Sequence, residues 1–154
     1  MQVLRLILSA PLMSFGAPSL HGDRPTDQLP GRSLLTGLLA NALGWEMPAA
    51  AERHTALQAA LRYAAVQLRA PSTQLNDFQT AFTRKADRLW SSRGEIDQRG
   101  GHSGTHRGGP ANMTKRYLVD ASVAVGLTLA DARDAGVPDL AALAEALRRP
   151  ARPL

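Results

Sequence analysis

Arg24 and Arg32 lie in a turn-rich loop, DRPTDQLPGR, that runs directly into an apolar helix-like stretch, and the chemistry these residues suit is the holding of a phosphate. Pro30 and Gly31 keep the approach non-helical. Ser33 reads as the N-cap, its hydroxyl accepting from an otherwise unpaired amide of the first turn. Such amides carry partial positive charge at a helix start, so together with two guanidinium groups they suit an anion. The same residues also fit a capped core helix with two solvated arginines. Behind them Leu34, Leu35, Leu38, Leu39, Ala42 and Leu43 recur on one side of a helix that Gly44 ends. Gly37 within it marks either a close backbone approach or an ordinary surface position.

A second cationic cluster lies further along. Between Arg84 and Arg116 there are eight basic residues (Arg84, Lys85, Arg88, Arg93, Arg99, Arg107, Lys115 and Arg116) and three acidic ones (Asp87, Glu95 and Asp97). The chain as a whole has 18 basic and 13 acidic residues and a net charge of +5, so this segment carries the entire excess. A localised excess points to contact with a polyanion. Other chemistry is sparsely represented. His102 and His106 sit in a glycine-rich tract that disfavours the helix needed to bring both rings onto one metal ion. There are no cysteines, so thiolate metal sites and disulfides are excluded and an intracellular, cytoplasmic setting is the default. No metal or other cofactor is expected. Metal-free RNA cleavage requires a base near the 2′-hydroxyl and an acid for the leaving oxygen; His21, His102, His106, Lys115 and Tyr117 have suitable groups, but nothing in the sequence gathers them. P-loop, dinucleotide-binding and serine-hydrolase motifs are absent. Asp120, Asp131, Asp134 and Asp139 fall where strands end and helices start, and capping accounts for them.

The elements that must position these groups follow from length and periodicity. A chain of 154 residues, 44% hydrophobic, fits one domain with a real core. Met1–Ser9 is apolar on both alternating faces apart from Arg5, as in a strand covered on both sides, and its apolar run is too short to span a bilayer. A long irregular connection leads to the helix. Ala49–Leu61 reads as a second helix with Leu57 and Leu61 as its large contacts, Arg62–Arg69 as a strand ended by Pro71, and Leu75–Thr83 as an extended arm. The glycine-rich tract beyond it lacks the apolar residues for a core and reads either as a solvated loop or as a flap that orders on nucleic acid. Tyr117–Leu129 reads as one strand. PDLAALAEALRR reads as a last helix, with Asp139 at its positive end and Arg148 and Arg149 at its negative end.

Strand, helix, helix, strand, flap, strand, helix is an α+β, ferredoxin-like order with an inserted helix and a long flap, and without the last strand of that plan. The absent strand would pair with the first. Its lack leaves the first strand at an edge and predicts either a chain that stops before its fold is complete or a partner that supplies the strand.

Four motifs in order, LRLILSAPLMSFG, GDRPTDQLPGRSLLTGLLANALGW, LNDFQTAFT and KRYLVDASVAVGLTL, resemble the fifth Cas family of the RAMP superfamily, in particular the CasD-type subunits of the type I-E CRISPR surveillance complex Cascade. The resemblance covers essentially the whole chain, and family members run on past the equivalent of RRPARPL into a further strand, so it implies truncation at the C-terminus. It implies a single RAMP-type domain over residues 1–154 with a basic thumb inserted at residues 73–116. It further implies a non-catalytic subunit that holds the 5′ handle of the CRISPR RNA, caps the backbone of CasC-type subunits beside the large CasA-type subunit, meets target DNA indirectly and has no membrane contact. Carried over, it puts Arg24, Thr26, Arg32 and Ser33 near the handle and Phe78 and Thr80 at the base of the thumb. The thumb itself then holds Arg84, Lys85, Arg88, Arg93, Arg107, Lys115 and Arg116. A related branch in type I-C systems cleaves precursor RNA without metal, which makes an endoribonuclease the alternative. Phe15, Phe78, Phe82, Trp90 and Tyr117 are the aromatics near the basic positions on which splayed bases could stack.

Overall fold

The computed structural model describes residues 2–19, 23–82, 89–90, 96–97, 110–130 and 136–154. In chain order the elements are β1 (Leu4–Ser9), β2 (Leu12–Met13), β3 (Asp23–Arg24), α1 (Arg32–Ala42), α2 (Ala51–Ala60), β4 (Leu61–Arg69), β5 (Thr73–Phe82), β6 (Leu89–Trp90), β7 (Ile96–Asp97), β8 (Pro110–Val119), β9 (Ser122–Leu129) and α3 (Leu140–Arg148). The α+β, ferredoxin-like order is therefore present.

The core sheet is antiparallel with the order β1-β9-β4. Strict alternation in β9 turns Val123, Val125 and Leu127 inward, where they are fully buried with Leu35 of α1, Leu57 of α2, Leu61 of β4 and Leu143 of α3. The helices thus cover the inner face, and each such side chain contributes about 1.5–3 kcal/mol by leaving water. β1 departs from the expectation of a strand covered on both sides. Leu4, Leu6 and Leu8 face inward and Arg5, Ile7 and Ser9 face out to solvent. Among the described residues β1 pairs with β9 alone. Its run, apolar apart from Arg5, arises because Ile7 and Val3 occupy exposed positions, and composition cannot distinguish that from a second covered face.

The stretch expected as one strand from Tyr117 to Leu129 is two. Asp120 adopts φ 55°, and the chain turns there from β8 into β9. The apolar alternation slips in phase between Leu118 and Ala121, which is the sequence trace of that turn. β8 belongs to a second sheet. On one side it pairs antiparallel with β5, in register from Thr73↔Val119 to Phe82↔Pro110. On the other side it meets β2 at Val119 and Leu118, then β3 in parallel at Thr114 and Lys115. The connection expected to be irregular between Ser9 and Gly31 therefore supplies two short strands to this sheet. The arm expected over Leu75–Thr83 is the strand β5. β6 and β7 form a separate small antiparallel pair.

α1 begins two residues earlier than the reading that makes Ser33 its cap. Gly31 is the N-cap, in extended conformation and with no side-chain capping bond, and Leu35 N–H donates to Gly31 C=O at 3.1 Å. Ser33 lies inside the first turn, so its hydroxyl is on the wrong side of the boundary to cap. Asp139 does cap α3, its carboxylate accepting from Ala142 N–H at 2.7 Å. Gly37 has open space where a Cβ would be. The close approach is instead at Gly44, whose φ is +71° and whose added Cβ would lie 2.9 Å from Ala151 Cβ. There the terminal segment is tied to α1: Ala151 N–H donates to Ala42 C=O at 2.9 Å, Asn41 Nδ2 to Pro153 C=O at 2.9 Å, and Arg152 to Trp45 C=O at 3.0 Å.

Candidate nucleic-acid interface

The second sheet gathers some of the expected residues and separates others. In a pleated sheet directly opposed residues share a face and neighbours along a strand do not. Arg24 of β3 is paired with Lys115 of β8, so two cations far apart in sequence lie side by side. Tyr117 is two positions along the same strand and shares their face. They line a cleft of about 240 Å³ whose other wall is the loop carrying Ser14, Gly16 and Ser19. Gly16 has φ +69°, a backbone turn that favours glycine and bends the loop over the strand. The loop is held by Thr26, whose hydroxyl accepts from Phe15 N–H at 2.9 Å and donates to Asp27 C=O at 3.1 Å. Thr26 therefore acts as a clasp in this structure. Among the described residues the cleft lining has two cations and no carboxylate, although Asp77 of β5 is the register partner of Lys115 on its far side.

The opposite face of the ribbon carries Phe78, Thr80 and Arg116. Phe78 is paired with Thr114 and is 66% exposed. Thr80 Oγ1 bonds Asn112 Oδ1 at 3.0 Å across the strands. Arg116 Nη2 meets the Asp23 carboxylate at 2.9 Å. Both side chains are near half exposed, so the pair contributes little to stability, but it lowers the positive field that Arg116 would otherwise project. Its Nε and Asp23 Oδ1 are buried with no hydrogen-bond partner among the described residues. Lys115 and Arg116, adjacent in sequence, thus serve different faces, one lining the cleft and one paired with Asp23.

Arg32 and Ser33 are exposed on the first turn of α1. No bond in the described residues joins them to the Arg24–Lys115 cleft. Arg84, Lys85, Arg88, Arg93 and Arg107 lie outside the described residues, as do His21, His102 and His106. Of the aromatics weighed as stacking platforms, Phe15 is 8% exposed and part of the core, which removes it from contact with solvent. Tyr117 is half-buried at the cleft and Phe78 is open. Sequence reasoning missed Ser14, Gly16, Ser19 and the Asp23–Arg116 pair. The pair joins residues on different strands, and only the spacing of Lys115 and Tyr117 in one alternating run hinted at a shared face. Among the described residues no three His, Cys, Asp or Glu side chains stand close enough to hold a metal ion, and no helix is long and apolar enough to cross a membrane.

A ferredoxin-like α+β body with a two-stranded ribbon leaving it defines a RAMP-type domain. The family described as CRISPR-associated protein (Cas_Cas5) matches residues 3–154, and the chain belongs to that family. No curated protein matches the chain. Among solved structures, a chain of a "CRISPR RNA-guided surveillance complex" is similar at 26% identity and a TM-score of 0.62, covering 97% of this chain and 55% of that one. A "Crystal structure of Cas protein" is similar at 25% identity and a TM-score of 0.52, covering 99% of this chain and 55% of that one. The chain therefore spans little more than half the length of these solved relatives.

Proposed function

We propose that this chain is a non-catalytic, RNA-binding structural subunit of a type I-E-like, CasD-type Cascade particle in the cytoplasm. In this reading it holds the 5′ handle of a CRISPR RNA and anchors CasC-type backbone subunits and a CasA-type large subunit for interference with foreign DNA. Residues 73–116 act as its thumb. The observation that carries the reading is the pairing of Arg24 with Lys115 beside Tyr117, in a cleft walled by small residues that include Ser14 and Ser19, at the root of the β5–β8 ribbon. Two cations and an aromatic in a groove are the elements by which single strands are held, phosphates on the charges and bases on the ring. Membership of a CRISPR-associated family and similarity to a surveillance-complex chain supply the RNA class.

The test is a titration of labelled handle RNA at several salt concentrations with wild type and with the double variant Arg24→Ala, Lys115→Ala. The double variant should bind more weakly and lower the log-log salt slope by about 1.4, at roughly 0.7 for each single-strand phosphate contact. An unchanged slope would exclude the cleft. Lys115 and Tyr117 sharing one cleft also keeps a metal-independent endoribonuclease as the second reading. Repeat RNA cut in the presence of chelator, and left intact when the 2′-hydroxyl at the cut site is removed, would establish that reading instead.

A further inference from the structure

β3 consists of Asp23 and Arg24 and pairs in parallel with β8 through two rungs, Asp23↔Thr114 and Arg24↔Lys115. Successive residues of a strand point to opposite faces, so the two side chains part company. Arg24 goes to the cleft beside Lys115, and Asp23 goes to the other face, where its Oδ2 accepts from Nη2 of Arg116 at 2.9 Å. The cleft arrangement is unfavourable by itself, because like charges directly opposed on neighbouring strands repel. What holds Arg24 in place must therefore come from elsewhere. Ser19 Oγ donates to Asp23 C=O and Thr26 clasps the loop beside β3, but neither bond reaches β8. Among the described residues, the side-chain bond that ties β3 to β8 is that between Asp23 and Arg116.

Given the phosphate-holding cleft of the proposed function, we infer that Asp23 is a positioning residue for RNA: its ion pair with Arg116 on one face of the sheet fixes the pairing of β3 that sets Arg24 beside Lys115 on the other. A slip of β3 by one residue along β8 would exchange the two faces, bringing Asp23 into the cleft and Arg24 to the side of Arg116. A carboxylate would then stand where a phosphate has to go, and two cations would meet where the ion pair now is. The observed pairing puts the attraction on the side away from the ligand and leaves the repulsion on the side where a phosphate can relieve it. Both side chains of the pair are near half exposed, so it adds little to overall stability, yet selecting one pairing of a two-residue strand needs only a small difference. The pair also has a tighter form within reach. Nε and Nη2 lie along one edge of the guanidinium, and Arg116 Nε and Asp23 Oδ1 are buried with no hydrogen-bond partner among the described residues. A small rotation joins them into the two-bonded fork that arginine and carboxylate favour.

The test is a double-mutant cycle, read by the anisotropy of labelled handle RNA at one moderate salt concentration, with thermal unfolding measured for every variant. By its charge alone a carboxylate near RNA repels it, so its removal should tighten binding. Positioning predicts the reverse: Asp23→Ala should bind about threefold more weakly, because Arg24 spends less of its time beside Lys115. In an Arg24→Ala background the same change should leave affinity unchanged or raise it. The charge-exchanged variant, Asp23→Arg with Arg116→Asp, restores the pair and should bind within about twofold of wild type. Unchanged or tighter binding of Asp23→Ala, or an equal change in both backgrounds, overturns the proposal alone, provided that Arg24→Ala weakens binding. Wild-type affinity in Arg24→Ala overturns both the proposal and the reading of the cleft. If Asp23→Ala does not fold, the charge-exchanged variant decides: affinity within about twofold of wild type supports the positioning role, and a larger loss overturns it.

Discussion

In the β1-β9-β4 sheet, Val123, Val125 and Leu127 lose all exposure against three helices, while in β5 every described side chain from Thr73 to Thr80 except Asp77 is exposed. The two regions are both antiparallel and are joined by one turn at Asp120, yet they are held together differently. The first is a two-layer body, in which burial of aliphatic side chains dominates and the loss of one methylene cluster is felt throughout. In the ribbon β5 is exposed and Met113–Tyr117 of β8 are only half-buried, so cross-strand main-chain bonds and local side-chain pairs contribute most of what holds it. A region of the first kind tolerates few substitutions inside. A region of the second kind is free to vary its surface, and it is where binding groups can be displayed without disturbing the fold.

The comparison breaks most sharply at Leu127. Leu127→Ala removes a fully buried side chain from the central strand and should lower the unfolding free energy by about 2–5 kcal/mol in urea titrations. A loss below about 1 kcal/mol would mean that the core is not the dominant support. Next is Phe78→Ala, on the ribbon. Its stability cost should stay within about 0.5 kcal/mol, since the side chain is 66% exposed, while RNA affinity should fall by about 1–3 kcal/mol if a base stacks on it. Equal losses in stability and affinity would place Phe78 with the body. Asp139→Ala should cost about 1 kcal/mol by freeing the amide that its carboxylate caps at 2.7 Å, with no change in RNA affinity. Smallest is Asp120→Gly at the joint itself. Glycine accepts φ 55° without a Cβ penalty but adds freedom to the unfolded chain, so thermal melts should move by no more than about 0.5 kcal/mol equivalent.

Much of the body could be read from the residues alone. The spacing of Leu35 and Leu39, the alternation of Val123, Val125 and Leu127, and the cap at Asp139 each follow from interactions between residues a few positions apart. The boundaries that differ are local too: Gly31, not Ser33, caps α1, and the phase slip between Leu118 and Ala121 marks the turn at Asp120. The interface was less legible. Phe78 and Lys115 look like one binding set in the sequence and lie on opposite faces of the ribbon, and Thr26 looks like a ligand and clasps a loop.

Hydrophobic period, glycine and proline punctuation and the placement of the cationic excess determined by themselves an α+β chain with a polar, positively charged excursion. What only the tertiary structure decided is which residues share a face: that Arg24 lies beside Lys115, that Arg116 is paired with Asp23, and that Phe78 and Lys115 are on opposite sides of the ribbon. The reason is that an alternating strand announces two faces but not its neighbours. Pairing between segments distant in the chain sets the register, and a shift of one residue exchanges every side chain between the two sides.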